Sequence, residues 1–255
     1  MTALRTSTIA RLAEAGCIAA EEEAEDLLAA SSDRSTLESL IARREGGEPV
    51  AWLTGHASFA GHQVLIDPGV YVPRPQSEEL AVRAGELLYG FGSGAAAADL
   101  CTGSGNVARY LKARAAKSLV VGVDLDTVAV RCAVRNQVAA CVGHLGDPLR
   151  SASFDVVTSV APYVPTGDLG FLPRDAREHE PISALHGGID GLDVLRNVVG
   201  SAKRILRRGG WMLIEIGGNQ DAQLADDLES WGFSEIETWH DEDGDLRGLV
   251  ARSAN

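Results

Sequence analysis

Residues 97–108 read AADLCTGSGNVA and residues 119–126 read LVVGVDLD. The first stretch leaves an apolar run through Gly103 and Gly105 and enters GNVARYLKARA, whose spacing predicts a helix. Glycines at a strand-to-helix turn let the backbone bend sharply and leave room for a ligand. Nineteen residues after Gly105 stands Asp124, at the end of the second apolar run. An acid in that place takes both hydroxyls of a ribose, the logic of adenosine-type cofactors in open α/β sheets. Asp147 follows a third run, CVGHLGD (141–147), where it is placed to accept from an adenine amino group.

A GxG alone also occurs in ordinary strand-to-helix turns, so the acid at the right spacing is what favours a cofactor. The third position of GxGxxG is Ala108, which leaves the pyrophosphate fingerprint of dinucleotide binders incomplete. S-adenosylmethionine has no pyrophosphate to cradle and fits better than NAD.

Outward from this centre, SEELAVRAGELLYG (77–90) is amphipathic, and FDVVTSVAPY (154–163) and WMLIEIG (211–217) are further apolar strands between helical segments. That alternation predicts a doubly wound parallel sheet. The last stretch, FSEIETWHDEDGDLRGLVARS (233–253), has two strand-like runs around EDGD and predicts an antiparallel hairpin. Toward the N-terminus, residues 1–45 form a helical domain of two or three short helices, with Ala20, Ala24, Leu27 and Leu28, then Leu37, Leu40 and Ile41 after the break SSDRS. Residues 46–76 switch to alternation and turn residues, reading as a β-hairpin linker with a rigid exit at Pro73 and Pro75. The domain boundary is expected near residue 75, with residues 77–255 as the cofactor-binding domain.

The chain has 255 residues, 36 acidic and 23 basic, for a formal net charge of -13. Such a balance argues against nucleic acid as a partner and favours a cationic ligand in an acidic pocket. Cys17, Cys101, Cys132 and Cys141 form no CxxC pair, and the six histidines show no ligand spacing, so no metal site is expected. The start MTALRTSTIARLAEAG lacks an apolar leader core, and no run approaches the roughly 20 apolar residues of a membrane span. A cytoplasmic protein with reduced thiols and no membrane partner is the expectation.

With these residues in hand, the chain resembles class I methyltransferases of the HemK/PrmC type, the protein-(glutamine-N5) methyltransferases that modify release factors. The resemblance is carried, in order, by EPVAWLTGHASFAGHQVLIDPGVYVPRPQSEEL, DLCTGSGNVA, VVGVDLD, the PY of APYVP, EHEPISALHGGIDGLDVLR and LIEIGGNQ. It implies a Rossmann-like sheet of seven strands, S-adenosylmethionine as methyl donor, a small N-terminal helical domain, and a hairpin leading to the PRP segment. The departures from the family pattern are Cys101 where Gly is frequent, Gln76 and Ser77 where an acid and Thr are usual, and VAPY (160–163) where the family has NPPY. The N-terminal helical region also looks shorter than is usual for release-factor enzymes.

In that family motif the Asn side chain accepts an N–H of the substrate amide and turns the nitrogen lone pair toward the methyl group. Val160 has no side-chain acceptor. The leading expectation is therefore methylation of a side-chain nitrogen on a small amino-acid or guanidino substrate, with a release-factor glutamine as the alternative and a catalytically silent S-adenosylmethionine-binding protein as a third. Asp99, Thr102, Gly103, Gly105, Asp124, Asp147 and Arg74 are the candidate cofactor residues, Arg74 being equally well suited to an interface salt bridge. Pro162, Tyr163, Glu178 and Glu180 are the candidate catalytic residues, and Val160, Ala161, Tyr163 and Glu178 the candidate substrate contacts. Asp168 and Asp175 are further acids in the same loop. Glu180 weighs equally as a structural residue, Trp52 and Phe59 read first as interface seals, and Glu215 as a buried helper of the cofactor loop or a solvent-facing strand end.

Overall fold

The computed structural model describes residues 2–254. Three helices open the chain: α1 (Thr2–Glu14), α2 (Ala20–Ala30) and α3 (Arg34–Glu45). Asp33 caps α3 by accepting from the Thr36 backbone N–H at 2.9 Å, which satisfies one of the free donors of the first turn. Leu12, Ala24, Leu27, Leu37 and Ile41 are buried between the three helices as a core of their own. The stretch 46–76 contains more than the expected hairpin. A short helix α4 (Val50–Thr54) precedes β1 (His56–Phe59) and β2 (His62–Leu65), because VAWLT buries Ala51 on the hairpin side while Val50 and Leu53 reach the helical core.

The rest alternates. After α5 (Glu78–Gly90) come β3 (Ala96–Leu100), α6 (Asn106–Arg114), β4 (Leu119–Asp124), α7 (Thr127–Arg135), β5 (Ala139–Val142) and β6 (Phe154–Ser159). Then follow α8 (Arg174–His179), α9 (Asp193–Ile205), β7 (Leu206–Glu215), α10 (Gln220–Ser230), β8 (Phe233–His240) and β9 (Leu246–Ser253). The strands form one seven-stranded sheet in the order β5-β4-β3-β6-β7-β9-β8. Five run parallel and the terminal pair β8–β9 is antiparallel, as the run around EDGD predicts.

β3 and β6 are buried along their whole length, which is why AAADL and FDVVTS read as continuous small or apolar runs. One face packs α9 and α10 through Leu195, Val198, Leu224 and Leu228. The other packs α5, α6 and the hairpin through Leu80, Ala84, Leu111, Phe59 and Val64. The hairpin is thus part of the sheet's core rather than a free linker. Asn136 holds it there: its side chain accepts from Leu65 N and donates to Leu65 O and Ser104 O, each at 2.8 Å. Among the described residues, no helix is long and apolar enough to cross a membrane.

Candidate active site

A cavity of about 420 Å³ opens at the carboxyl ends of β3, β4 and β6, where open α/β sheets bind ligands. One half is built by the turn after β3. Cys101 and Gly103 both have positive φ, 57° and 56°. The left-handed geometry explains why glycine suits position 101; here the cysteine side chain joins the wall, and burial pushes its thiol up to about 12. A Cβ on Gly103 would meet nothing within 4 Å, so this backbone faces open space. Gly105 works differently: a Cβ there would lie 2.9 Å from Val138 and 3.0 Å from Ala133, so only glycine lets the turn pack against the end of α7.

Asp124 lies on the cavity wall and accepts from Gly103 N at 2.8 Å and from Asp126 N at 2.9 Å. Its carboxylate therefore fixes the glycine turn while facing the ligand space. Burial raises its proton affinity, and the two backbone N–H groups oppose that. Asp99 sits behind the turn, accepting from Thr102 Oγ1 at 2.6 Å and Thr158 Oγ1 at 2.7 Å. Burial lifts its pKa to about 6 against those two hydroxyls. Asp99, Thr102 and Gly105 thus shape the site from beneath, while Gly103 and Asp124 border it.

Several expected residues lie elsewhere. The strand of CVGHLGD ends at Val142, so the chain has already turned before Asp147, whose side chain is 72% exposed beside His144. His144 and Leu145 line the cavity, whereas Asp147, expected at the adenine, is not among its lining residues. Arg74 does not border the cavity either; it donates to Glu180 Oε1 at 2.5 Å and stacks over Tyr71 at 5.1 Å. Glu178 faces solvent on α8, paired with Arg174 at 2.9 Å and Arg177 at 3.2 Å, so it is corrected from a substrate contact to a surface ion pair. The side chain of Ala161 is packed in the core under α9.

The other half of the cavity is walled by Tyr71, Val160, Pro162 and Pro181. Tyr163 follows on the outer side, bordering a second cavity of about 550 Å³ with Pro165, Phe171 and Leu172. Its hydroxyl donates to Glu215 Oε1 at 2.9 Å. Glu215 is buried at the end of β7, not solvent-facing. Glu180 is equally sealed, and burial raises the proton affinity of both acids. Trp52 and Phe59 pack away from the cavity; Trp52 Nε1 donates to Val70 O at 2.9 Å. Tyr71, His144, Glu215 and Gln220 are the residues that motif reasoning undervalued. Gln220 Nε2 donates to Tyr163 O at 3.0 Å and its Oε1 accepts from Gly217 N at 3.0 Å, binding LIEIGGNQ to APYVP.

The cavity suits a nucleoside-like donor: an acid at the ribose position, bare backbone at Gly103, and apolar walls at Leu125 and Leu145. Residues 98–163 match a family model described as Methyltransferase domain. Release factor glutamine methyltransferases of Geobacter sulfurreducens and Streptomyces coelicolor are each 35% identical to the chain. The matches cover 80% and 79% of it and 73% of each relative. A 4-amino-L-phenylalanine/4-methylamino-L-phenylalanine methyltransferase of Streptomyces pristinaespiralis is 35% identical over 72% of the chain and 66% of the relative. A ribosomal protein L11 methylase from Lactobacillus delbrueckii subsp. bulgaricus shares the fold at 17% identity and a TM-score of 0.52, over 74% of this chain and 84% of that one.

Proposed function

The chain belongs to the release factor glutamine methyltransferase family and is an S-adenosylmethionine-dependent N-methyltransferase, and we infer that its acceptor is the side-chain amide of a glutamine in a release factor. The observation that carries this reading is the 35% identity to enzymes of that name over four-fifths of the chain. It displaces the small-substrate expectation from first place. The donor, when bound, supplies an electrophilic methyl group on a sulfonium. The protein's own part is alignment: Asp124 holds the ribose, Gly103 leaves its backbone open to the donor, and Pro162 and Tyr163 wall the approach of the nitrogen. Ser183 and Ala184, in the short turn Ile182–Ala184, close the cavity from above.

A second reading rests on Val160. An amide nitrogen has a delocalised lone pair and needs acceptors for its N–H groups, whereas a free amine carries its own lone pair. With an apolar side chain at 160, an amino or guanidino group on a small molecule is the chemically easier acceptor, and the methyltransferase of Streptomyces pristinaespiralis is named for an aromatic amine. The two readings separate in one experiment. The protein is incubated with methyl-labelled donor and either a release factor or a panel of amino and guanidino compounds that includes 4-amino-L-phenylalanine. Label on the release-factor glutamine upholds the first reading; label confined to the small molecules replaces it with the second.

A further inference from the structure

Tyr163 borders two hollows, not one. Beside the outer cavity of about 550 Å³ lies another of about 430 Å³, which Tyr163 shares with His240, Asp245 and Arg247 from the β8–β9 hairpin. Gly217 and Gly218, in the turn between β7 and α10, line both. That turn is bare: Gly218 has a φ of 59°, and a Cβ there would meet nothing within 4 Å. The two hollows therefore adjoin across backbone that carries no side chains. Tyr163 follows Pro162 in the chain, and Pro162 walls the donor cavity.

The lining has the chemistry of a peptide groove. Asn219 and Gln223 face the larger hollow, and their side chains make no hydrogen bond among the described residues. Free amides of this kind pair with the N–H and C=O groups of an extended backbone, while hollows beside it take the side chains. Phe171 adds an apolar ring that is 86% exposed. Asp168 lines the same hollow, exposed, and its carboxylate has no partner among the described residues. In the smaller hollow the charge of Arg247 is already matched by Asp241 at 2.6 Å and Asp245 at 3.4 Å. The unmatched charge is negative, on a chain of net charge -13, so complementarity favours a cationic occupant. A small amino acid fills one hollow; a polypeptide spans both.

We propose that the two hollows form one track for an extended, basic polypeptide segment: the stretch of the release factor that flanks its glutamine. This deepens the release-factor reading and rests on it. The segment crosses Gly217 and Gly218, pairs its peptide groups with Asn219 and Gln223, and lays an apolar side chain on Phe171 and a Lys or Arg against Asp168. Because Tyr163 borders both hollows, the track leads past the wall of the donor cavity.

Steady-state methylation of a release factor by the intact protein tests this, with S-adenosylhomocysteine titrations to check the donor site. Asp168→Lys, Phe171→Ala and Gly218→Asn are each expected to raise KM for the release factor by about tenfold, with kcat and S-adenosylhomocysteine affinity within about twofold of wild type. Asn tolerates the left-handed backbone, so Gly218→Asn fills the bare turn without breaking it. Added salt should shrink the effect of Asp168→Lys and leave that of Phe171→Ala. If KM stays within about twofold of wild type in both Phe171→Ala and Gly218→Asn, the track is overturned, whatever Asp168→Lys does, and the release-factor reading stands. A loss confined to kcat overturns it equally. Label found only on small molecules overturns the reading and the track together.

Discussion

The two halves of the cavity are built on different principles. The donor half is assembled from contacts close in sequence: Asp99 with Thr102, three residues apart, and Gly103 with Asp124, 21 apart. Behind the other half, Tyr163 meets Glu215 across 52 residues and Arg74 meets Glu180 across 106. The first half is a local turn that a short motif describes in full. The second exists only once the hairpin, the loop before α9 and the end of β7 have folded together.

The largest effect is expected where that long-range half is held. Arg74→Ala leaves Glu180 buried without its cation, and chemical denaturation should show a loss of about 3–5 kcal/mol, largely restored in the Arg74→Ala, Glu180→Gln double variant. Next comes the position that separates this chain from the family motif. If the acceptor is a glutamine amide, Val160→Asn should raise the single-turnover methylation rate on a release factor by about 10²-fold, the typical worth of one polar contact to a transition state. An amine acceptor predicts no gain, so the direction of this change sharpens the contrast between the two halves.

On the donor side, Asp124→Ala should weaken S-adenosylhomocysteine binding by roughly 10²-fold, because about 3 kcal/mol of charge-assisted hydrogen bonding is lost. Calorimetry checks it, and undiminished binding would detach Asp124 from the ribose. The smallest effect concerns Asp99. Its folded pKa of about 6 lies above the ordinary carboxylate value, so its proton stabilises the native state at acid pH. That contribution is lost as pH rises from about 4 through 6. Asp99→Asn cannot titrate, so its stability relative to wild type should improve by on the order of 2 kcal/mol between pH 4 and 7. Denaturation curves at the two pH values measure this.

The same division explains what was legible beforehand. Strand runs such as AAADL and FDVVTS, the glycine turn and the hairpin around EDGD are periodic or local signals, and each predicted element is present. Helix α4 carries no sequence signal: VAWLT, four apolar residues and a threonine, is too short to show a helical repeat and sits in a stretch of turn residues. The apolar look of CVGHLGD outlasts the strand, because its pairing stops at Val142 and Asp147 lies beyond the edge. The pairing of Arg74 with Glu180 carries no sequence signature at all: a charge between two prolines and a charge in an acidic loop have many equivalent partners on paper. Only the fold chooses between Glu178, left in solvent, and Glu180, sealed inside.

One further feature gains meaning from this. The loop between β6 and α9, which carries Glu180 and Pro181, is fastened at α8 to the end of α3. Arg174 donates to Glu45 O at 3.2 Å and Gly46 O at 3.3 Å, and Arg44 lies 3.7 Å from Asp175. These contacts tie the small helical unit to the roof of the cavity. In hydrogen exchange, the amides of α3 and α8 should open together with a shared free energy, below that of the central strands β3 and β6. Loosening the N-terminal helices would then loosen the roof as well, although none of those helices lines the cavity.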